Sequence, residues 1–170
     1  MSKFDEIRQA YVDARKNFFD QRDATAAFAL RLVEGMERYL ECPPYQIHFL
    51  TNVRQPTSAT AHDAKGAVTY GADGLWHFNV GMELVDDKEG FHKGAARQAL
   101  AFELLVRSDE TGFNVELKGW ADRFDMPATG DSPEQKRLYD FWFQRILDSY
   151  LQPGHRFFED MADSDRAVSG

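Results

Sequence analysis

AARQALAFELLVRSDETGFNVELK, residues 95–118, is the stretch on which the architecture turns. Its first half is rich in Ala, Leu, Gln and Glu, which favour helix. Yet Phe102, Leu104 and Val106 alternate with Glu103 and Arg107. A turn-forming segment follows, Asp109-Glu110-Thr111-Gly112, and then Phe113, Val115 and Leu117 alternate with Asn114, Glu116 and Lys118. Period-two alternation on both sides of a polar turn predicts a β-hairpin. A four-residue loop sets Val106 opposite Val115 and Leu104 opposite Leu117. The same register places Glu103 beside Lys118, an opposite-charge cross-strand pair.

A second hairpin is predicted upstream. Val68-Thr69-Tyr70 and Trp76 to Met82 flank Ala72-Asp73-Gly74. A three-residue loop with Gly74 in the left-handed conformation pairs Tyr70 with Trp76 and Val68 with Phe78. Tyr45 to Leu50 reads as a further strand. Residues 51–66 lack an apolar period and are expected to form a mobile loop. Residues 86–94 are expected to form a turn-rich connection, and 119–131 an irregular stretch. Ser132-Pro133-Glu134-Gln135 writes a helix start, with serine as cap, proline at the first position and glutamine closing a capping box. That helix is predicted to reach about Leu151 with Leu138, Phe141, Trp142, Leu147 and Leu151 as its apolar surface. Residues 163–170 read as a frayed tail.

The N-terminal 40 residues carry a helical period. Phe4, Ile7, Tyr11, Ala14 and Phe18 recur at spacings of three and four, and Ala29, Val33, Met36 and Leu40 resume the pattern. Asp20-Gln21-Arg22-Asp23 interrupts it, so the segment is one long helix or two meeting near residues 20–24. A straight helix would be about 57 Å long, whereas a domain of this length has a radius of gyration near 15 Å. The helix must kink, project or meet a partner surface. Cys42-Pro43-Pro44 ends it. The expected class is α+β: an antiparallel sheet of about four to five strands in two hairpins, with a long N-terminal and a C-terminal helix, in a single domain over residues 1–170.

Composition narrows the function classes. The chain has 170 residues, 20 Lys and Arg against 28 Asp and Glu, and a formal net charge of −8. That balance argues against general nucleic-acid binding and against a polybasic membrane surface. No apolar run approaches the ~20 residues that span a bilayer. The lone Cys42 leaves no intramolecular disulfide and no cysteine-based zinc site. The polar, acidic start shows no signal peptide, and a cytoplasmic location is expected.

Chemistry-bearing patterns are sparse. Glu116-Leu117-Lys118 places an acid and a lysine on one strand face. It resembles the Glu-x-Lys element of certain Mg-dependent nucleases, which implies a metal-bound water beside an ammonium; Asp109 or Glu103 would have to supply the missing acid. His48 and His77 fall on the polar side of predicted strands, where they could meet Asn79, Glu103 and Glu116 as acid/base partners. No metal-ligand spacing is written locally, and no cofactor is expected. His62-Asp63 lies near Ser58 in a predicted loop, poor support for a triad. Cys42 follows a helix C-terminus, where the dipole disfavours a thiolate.

The reading that needs no catalytic constellation is a small acidic protein-binding module: an adaptor, inhibitor, immunity-like or chaperone-like protein. Its candidate binding residues are Phe4, Ile7, Tyr11 and Phe18 on the first helix, and Asp86, Asp87, Glu89, Asp109 and Glu110 in acidic loops. The acidic loops would steer a basic protein partner, and the helix could also form a homodimer. The alternatives are a metal-dependent hydrolase or nuclease-like enzyme using Glu103, Glu116 and Lys118, and a small-molecule pocket between sheet and helices involving Trp76, Phe78, Trp142 and Tyr150.

Overall fold

Six strands form one antiparallel open sheet in a computed structural model of the chain, which describes residues 2–43, 46–50, 63–85 and 97–151. The chain runs α1 (Lys3–Leu40), β1 (Ile47–Leu50), α2 (Ala64–Ala67), β2 (Thr69–Tyr70), β3 (Trp76–Val85), β4 (Arg97–Ser108), β5 (Gly112–Leu117), β6 (Arg123–Pro127) and α3 (Pro133–Leu151). The class is α+β. The sheet order is β1-β3-β4-β5-β6, and β2 pairs with the same strand as β1, at the other end of it. Two units divide the chain, Met1–Asp131 and Ser132–Gly170.

The ambiguous stretch is a strand. β4 pairs with β5 in the register set by the side-chain alternation, Leu104 opposite Leu117 and Val106 opposite Val115. The loop forms because Asp109 accepts hydrogen bonds from the N–H groups of Thr111 and Gly112, at 2.7 and 2.9 Å. The upstream hairpin also closes as expected. The Gly71 N–H donates to the Leu75 carbonyl at 2.8 Å, leaving a three-residue loop with Gly74 at φ +78°. A left-handed residue there suits glycine, which has no Cβ to clash.

One sheet face is apolar throughout. Phe49, Trp76, Phe78, Val80, Leu100, Leu104, Val106, Val115, Leu117 and Phe124 are all buried. The second half of α1 covers it with Ala26, Phe28, Ala29, Leu32, Val33 and Met36, and Phe28 stacks on Phe113 with centroids 4.2 Å apart. Each large apolar side chain so buried contributes about 1.5–3 kcal/mol.

Of the two alternatives for the N-terminal segment, α1 takes the first, one uninterrupted α-helix from Lys3 to Leu40. The polar break is accommodated by charge pairs, Lys16–Asp20, Arg22–Asp23 and Lys65–Asp23. The helix ends where Glu41 turns left-handed, at φ 51°. Residues 64–67 form a short helix capped by Asp63 rather than loop, while 51–62 lie outside the described residues. β6 falls in the stretch expected to be irregular. Its alternation is only two apolar residues long, Phe124 and Met126, and Pro127 at its end reads as a break. The sheet therefore has one strand more than the highest expected number. β3 runs three residues further than expected, to Val85. The connection over residues 86–94 and the tail over 163–170 lie outside the described residues.

α3 begins where expected, and the Gln135 N–H donates to the Ser132 hydroxyl at 3.2 Å. The reciprocal half of the capping box is replaced, because the Gln135 amide donates to the Tyr139 hydroxyl at 2.6 Å. Its buried side is Leu138, Tyr139, Trp142, Ile146 and Ser149, whereas Leu147 and Leu151 are exposed.

Candidate interaction surface

The polar face of the sheet gathers part of the expected cluster. His77 on β3 and Glu103 on β4 point to the same face, and His77 Nδ1 lies 2.8 Å from Glu103 Oε1. The other Glu103 oxygen accepts from Lys118 Nζ at 2.6 Å, so the expected cross-strand pair is present. His77 Nε2 in turn lies 3.0 Å from both carboxylate oxygens of Asp73 in the hairpin loop. The result is a chain of alternating charge, Asp73–His77–Glu103–Lys118.

This chain is closed. Both ring nitrogens of His77 face carboxylates, which leaves neither open as an acceptor for a substrate proton. Burial opposes the charge on His77, but the hydrogen bonds to Asp73 and Glu103 outweigh it and raise its pKa above the ordinary value. Burial also opposes the charge on Glu103, while Lys118 and His77 hold its carboxyl below the ordinary value. The hydrogen bond from His77 lowers Asp73. An imidazole held at both ring nitrogens by carboxylates is placed as a structural tie rather than as a poised base.

Asn79 is the direct cross-strand partner of Glu103, whereas His48 and Glu116 stand apart. His48 lies opposite Gly81 on β3, four residues along that strand from His77. Four residues of strand span about 13 Å. Glu116 is opposite Leu105 and Arg123, and it accepts from Arg123 Nε at 3.0 Å. Glu103 and Glu116 are thus each committed to a different cation. Among the described residues, no three His, Cys, Asp or Glu side chains are grouped to hold a metal ion. Cys42 is a free thiol whose pKa is raised, chiefly by burial and then by Glu37. Trp76 and Phe78 are core residues.

The expected binding residues divide similarly. Asp86, Asp87 and Glu89 lie outside the described residues. Asp109 is occupied in building its own turn, while Glu110 at the tip is exposed.

The helix residues form a continuous surface. Ser2 caps α1, its hydroxyl accepting from the Asp5 N–H at 3.1 Å while the Asp5 carboxylate accepts from the Ser2 N–H at 3.1 Å. Asp5 and Glu6 also oppose the helix dipole in the first turn. The start of the helix is therefore well specified without tertiary support. From Lys3 to Gln21 every residue is exposed save half-buried Asp5, and the first buried residue is Thr25. Phe4, Ile7 and Tyr11 are 72%, 68% and 62% exposed. Phe18 is where the stripe reaches the sheet edge, its ring centroid 5.2 Å from Trp76 and 6.0 Å from Tyr70.

Together Phe4, Ile7, Tyr11 and Phe18 leave roughly 500 Å² of residue surface open, of the order of a monomer's largest apolar patch. Spacing had shown the stripe but not its exposure, since a covered and an uncovered face read alike. The signal that separates them is the mismatch between helix length and domain size. No helix among the described residues is long and apolar enough to cross a membrane. No known family, curated protein or solved structure matches the chain.

Proposed function

We propose that the protein is a protein-binding module whose contact element is the first half of α1. One observation carries this reading: a capped helix of about five turns holds Phe4, Ile7 and Tyr11 in line and exposed. Water-exposed aromatic residues in a helical row match helix-in-groove recognition, in which anchors recur at three- and four-residue steps. The sheet and the second half of α1 act as the scaffold that fixes this helix. The polar sheet face supplies stiffness through the Asp73–His77–Glu103–Lys118 chain.

The test compares tagged full-length chains in cells that make the protein natively. Wild type, Phe4→Glu/Tyr11→Glu and Glu103→Gln/Lys118→Ala are purified, and retained proteins are quantified by mass spectrometry. A stoichiometric partner kept by the wild type and the sheet-face variant but lost from the helix variant is the expected result. Binding measured on the two purified components then confirms direct contact. A partner lost from the sheet-face variant and kept by the helix variant would overturn the proposal.

A further inference from the structure

The flanks of the stripe carry information that the stripe does not. Taking Phe4, Ile7, Tyr11, Ala14 and Phe18 as the seam of a helix pair, the residues that follow the second seam position of each heptad are Arg8, Arg15 and Arg22. Those that precede the first seam position are Lys3, Ala10 and Asn17. No acidic residue stands on either flank. Of the acids of this half-helix, Asp5 is engaged in the N-terminal capping box, and Glu6, Asp13 and Asp20 repeat every seven residues away from the seam. They are partly used within the helix: Gln9 donates to Asp13 at 3.0 Å and Lys16 pairs with Asp20 at 3.5 Å.

The arginines are different. Arg22 is tied to Asp23 at 3.1 Å. Arg15 lies over the Phe19 ring, 5.6 Å from its centroid. Neither Arg8 nor Arg15 pairs with a carboxylate among the described residues. Two guanidinium groups with no carboxylate partner among the described residues thus border an exposed aromatic seam in a chain of net charge −8.

This pattern discriminates among occupants. In a parallel pair of identical helices, each preceding-flank residue faces the following flank of its partner. Lys3 would meet Arg8, Ala10 would meet Arg15, and Asn17 would meet Arg22. In an antiparallel pair like flanks meet, setting Arg8 against Arg22 and Arg15 against Arg15. Neither arrangement offers an arginine an acid, and both bring cations together. An anionic membrane fits no better. Interfacial helices carry Lys and Arg across their polar face, whereas here that face sets Lys16 among Asp5, Glu6, Asp13 and Asp20.

Building on the proposed function, we infer that the partner is a different protein, presenting an amphipathic helix whose apolar seam is edged with Asp or Glu. Its apolar residues cover Phe4, Ile7 and Tyr11, and its acids meet Arg8 and Arg15. The paired arginine–carboxylate contacts at the rim set partner choice and orientation more than total affinity.

Two designed helical peptides test this on the full chain: one with a leucine seam and glutamate flanks, the other with the same seam and lysine flanks. Fluorescence anisotropy should show the glutamate peptide binding about tenfold or more tightly than the lysine peptide, an advantage that shrinks as salt screens the flanks. Tyr11→Glu should abolish binding, and Arg8→Glu/Arg15→Glu should invert the preference. Equal binding of both peptides, still lost in Tyr11→Glu, would overturn the acidic partner while leaving the helix as the contact element. Binding of neither peptide would also overturn the inference, and the cellular comparison above would judge the contact element separately. A dimer seen by sedimentation and broken by Tyr11→Glu would overturn it in favour of a second copy. Tyr11-dependent binding to phosphatidylserine vesicles, without peptide binding, would overturn it in favour of a membrane.

Discussion

Phe18 of α1 sits 5.2 Å from Trp76 of β3, ring centroid to ring centroid, and this contact marks where the helix stops being scaffold and becomes free surface. C-terminal to it, α1 buries Phe28, Leu32 and Met36. N-terminal to it, the same apolar period continues through Tyr11, Ile7 and Phe4 into water. One helix thus serves two roles on either side of one aromatic contact.

That division predicts unequal costs for similar truncations. Phe18→Ala should lower stability by about 1–2 kcal/mol, since it removes a partly buried ring from the Tyr70–Trp76 cluster. Phe4→Ala and Ile7→Ala should stay within about 0.5 kcal/mol of wild type, as expected for exposed sites. Urea unfolding of the three variants measures this. A loss at Phe4 or Ile7 equal to that at Phe18 would show that the stripe is covered within the chain.

The core prediction concerns Phe28 and Phe113, whose stacked rings join the helix to β5. Phe28→Ala or Phe113→Ala should cost about 3–5 kcal/mol through lost contact and a residual cavity. Guanidinium unfolding would read it, and a cost near 1 kcal/mol would contradict this packing.

The charge chain predicts a pH response with a defined sign. The His77 pKa is raised from 6.5, so its stabilisation is complete below that ordinary value and is lost as pH climbs through the raised folded-state value. The Glu103 and Asp73 pKa values are lowered from 4.5 and 3.8, so their stabilisation is present above those values and is lost as pH falls through the lowered ones. The chain contributes most between the ordinary carboxylate and histidine values. Titration of His77 by NMR should give a midpoint above 6.5 that drops in Glu103→Gln. An unchanged midpoint in that variant would remove Glu103 as a cause.

Gly112 offers a local test of the β5–β6 pairing. A Cβ there would run into the Met126 carbonyl, a backbone atom that cannot swing away. Gly112→Ala should therefore destabilise by about 2 kcal/mol, through displacement of the neighbouring strand. Thermal unfolding would check it, and a neutral result would contradict the close approach of these strands.

Alternation and turn chemistry were enough to read both hairpins, down to the partners of Leu104 and Val106 and the Glu103–Lys118 pair. A face buried on one side fixes register, because a slip by one residue would turn every apolar side chain outward. β6 was illegible because five residues ending in proline carry too little alternation to separate strand from loop. The His77–Glu103 contact was legible as two polar residues on one sheet face. The place of Asp73 was not, since it depends on how the hairpin loop folds back over β3. His48 was read too close to His77 because face was inferred without the offset along β3. On α1 the stripe itself was plain and the mismatch between helix length and domain size pointed to an uncovered part, while its extent required knowing that the packed core begins only at Thr25.

With the first half of α1 as the proposed contact element, Tyr11 is the residue expected to face the protein partner. Replacing Tyr11 with a photocrosslinking residue in the full chain, in cells that make the protein, tests it most directly, with the same residue at Asp13 on the opposite side as control. One discrete protein adduct is expected at Tyr11 and none at Asp13, and the isolated partner should bind the purified chain and fail to bind Phe4→Glu. Equal crosslinking at both positions, or a partner that binds Phe4→Glu as well as wild type, would contradict it.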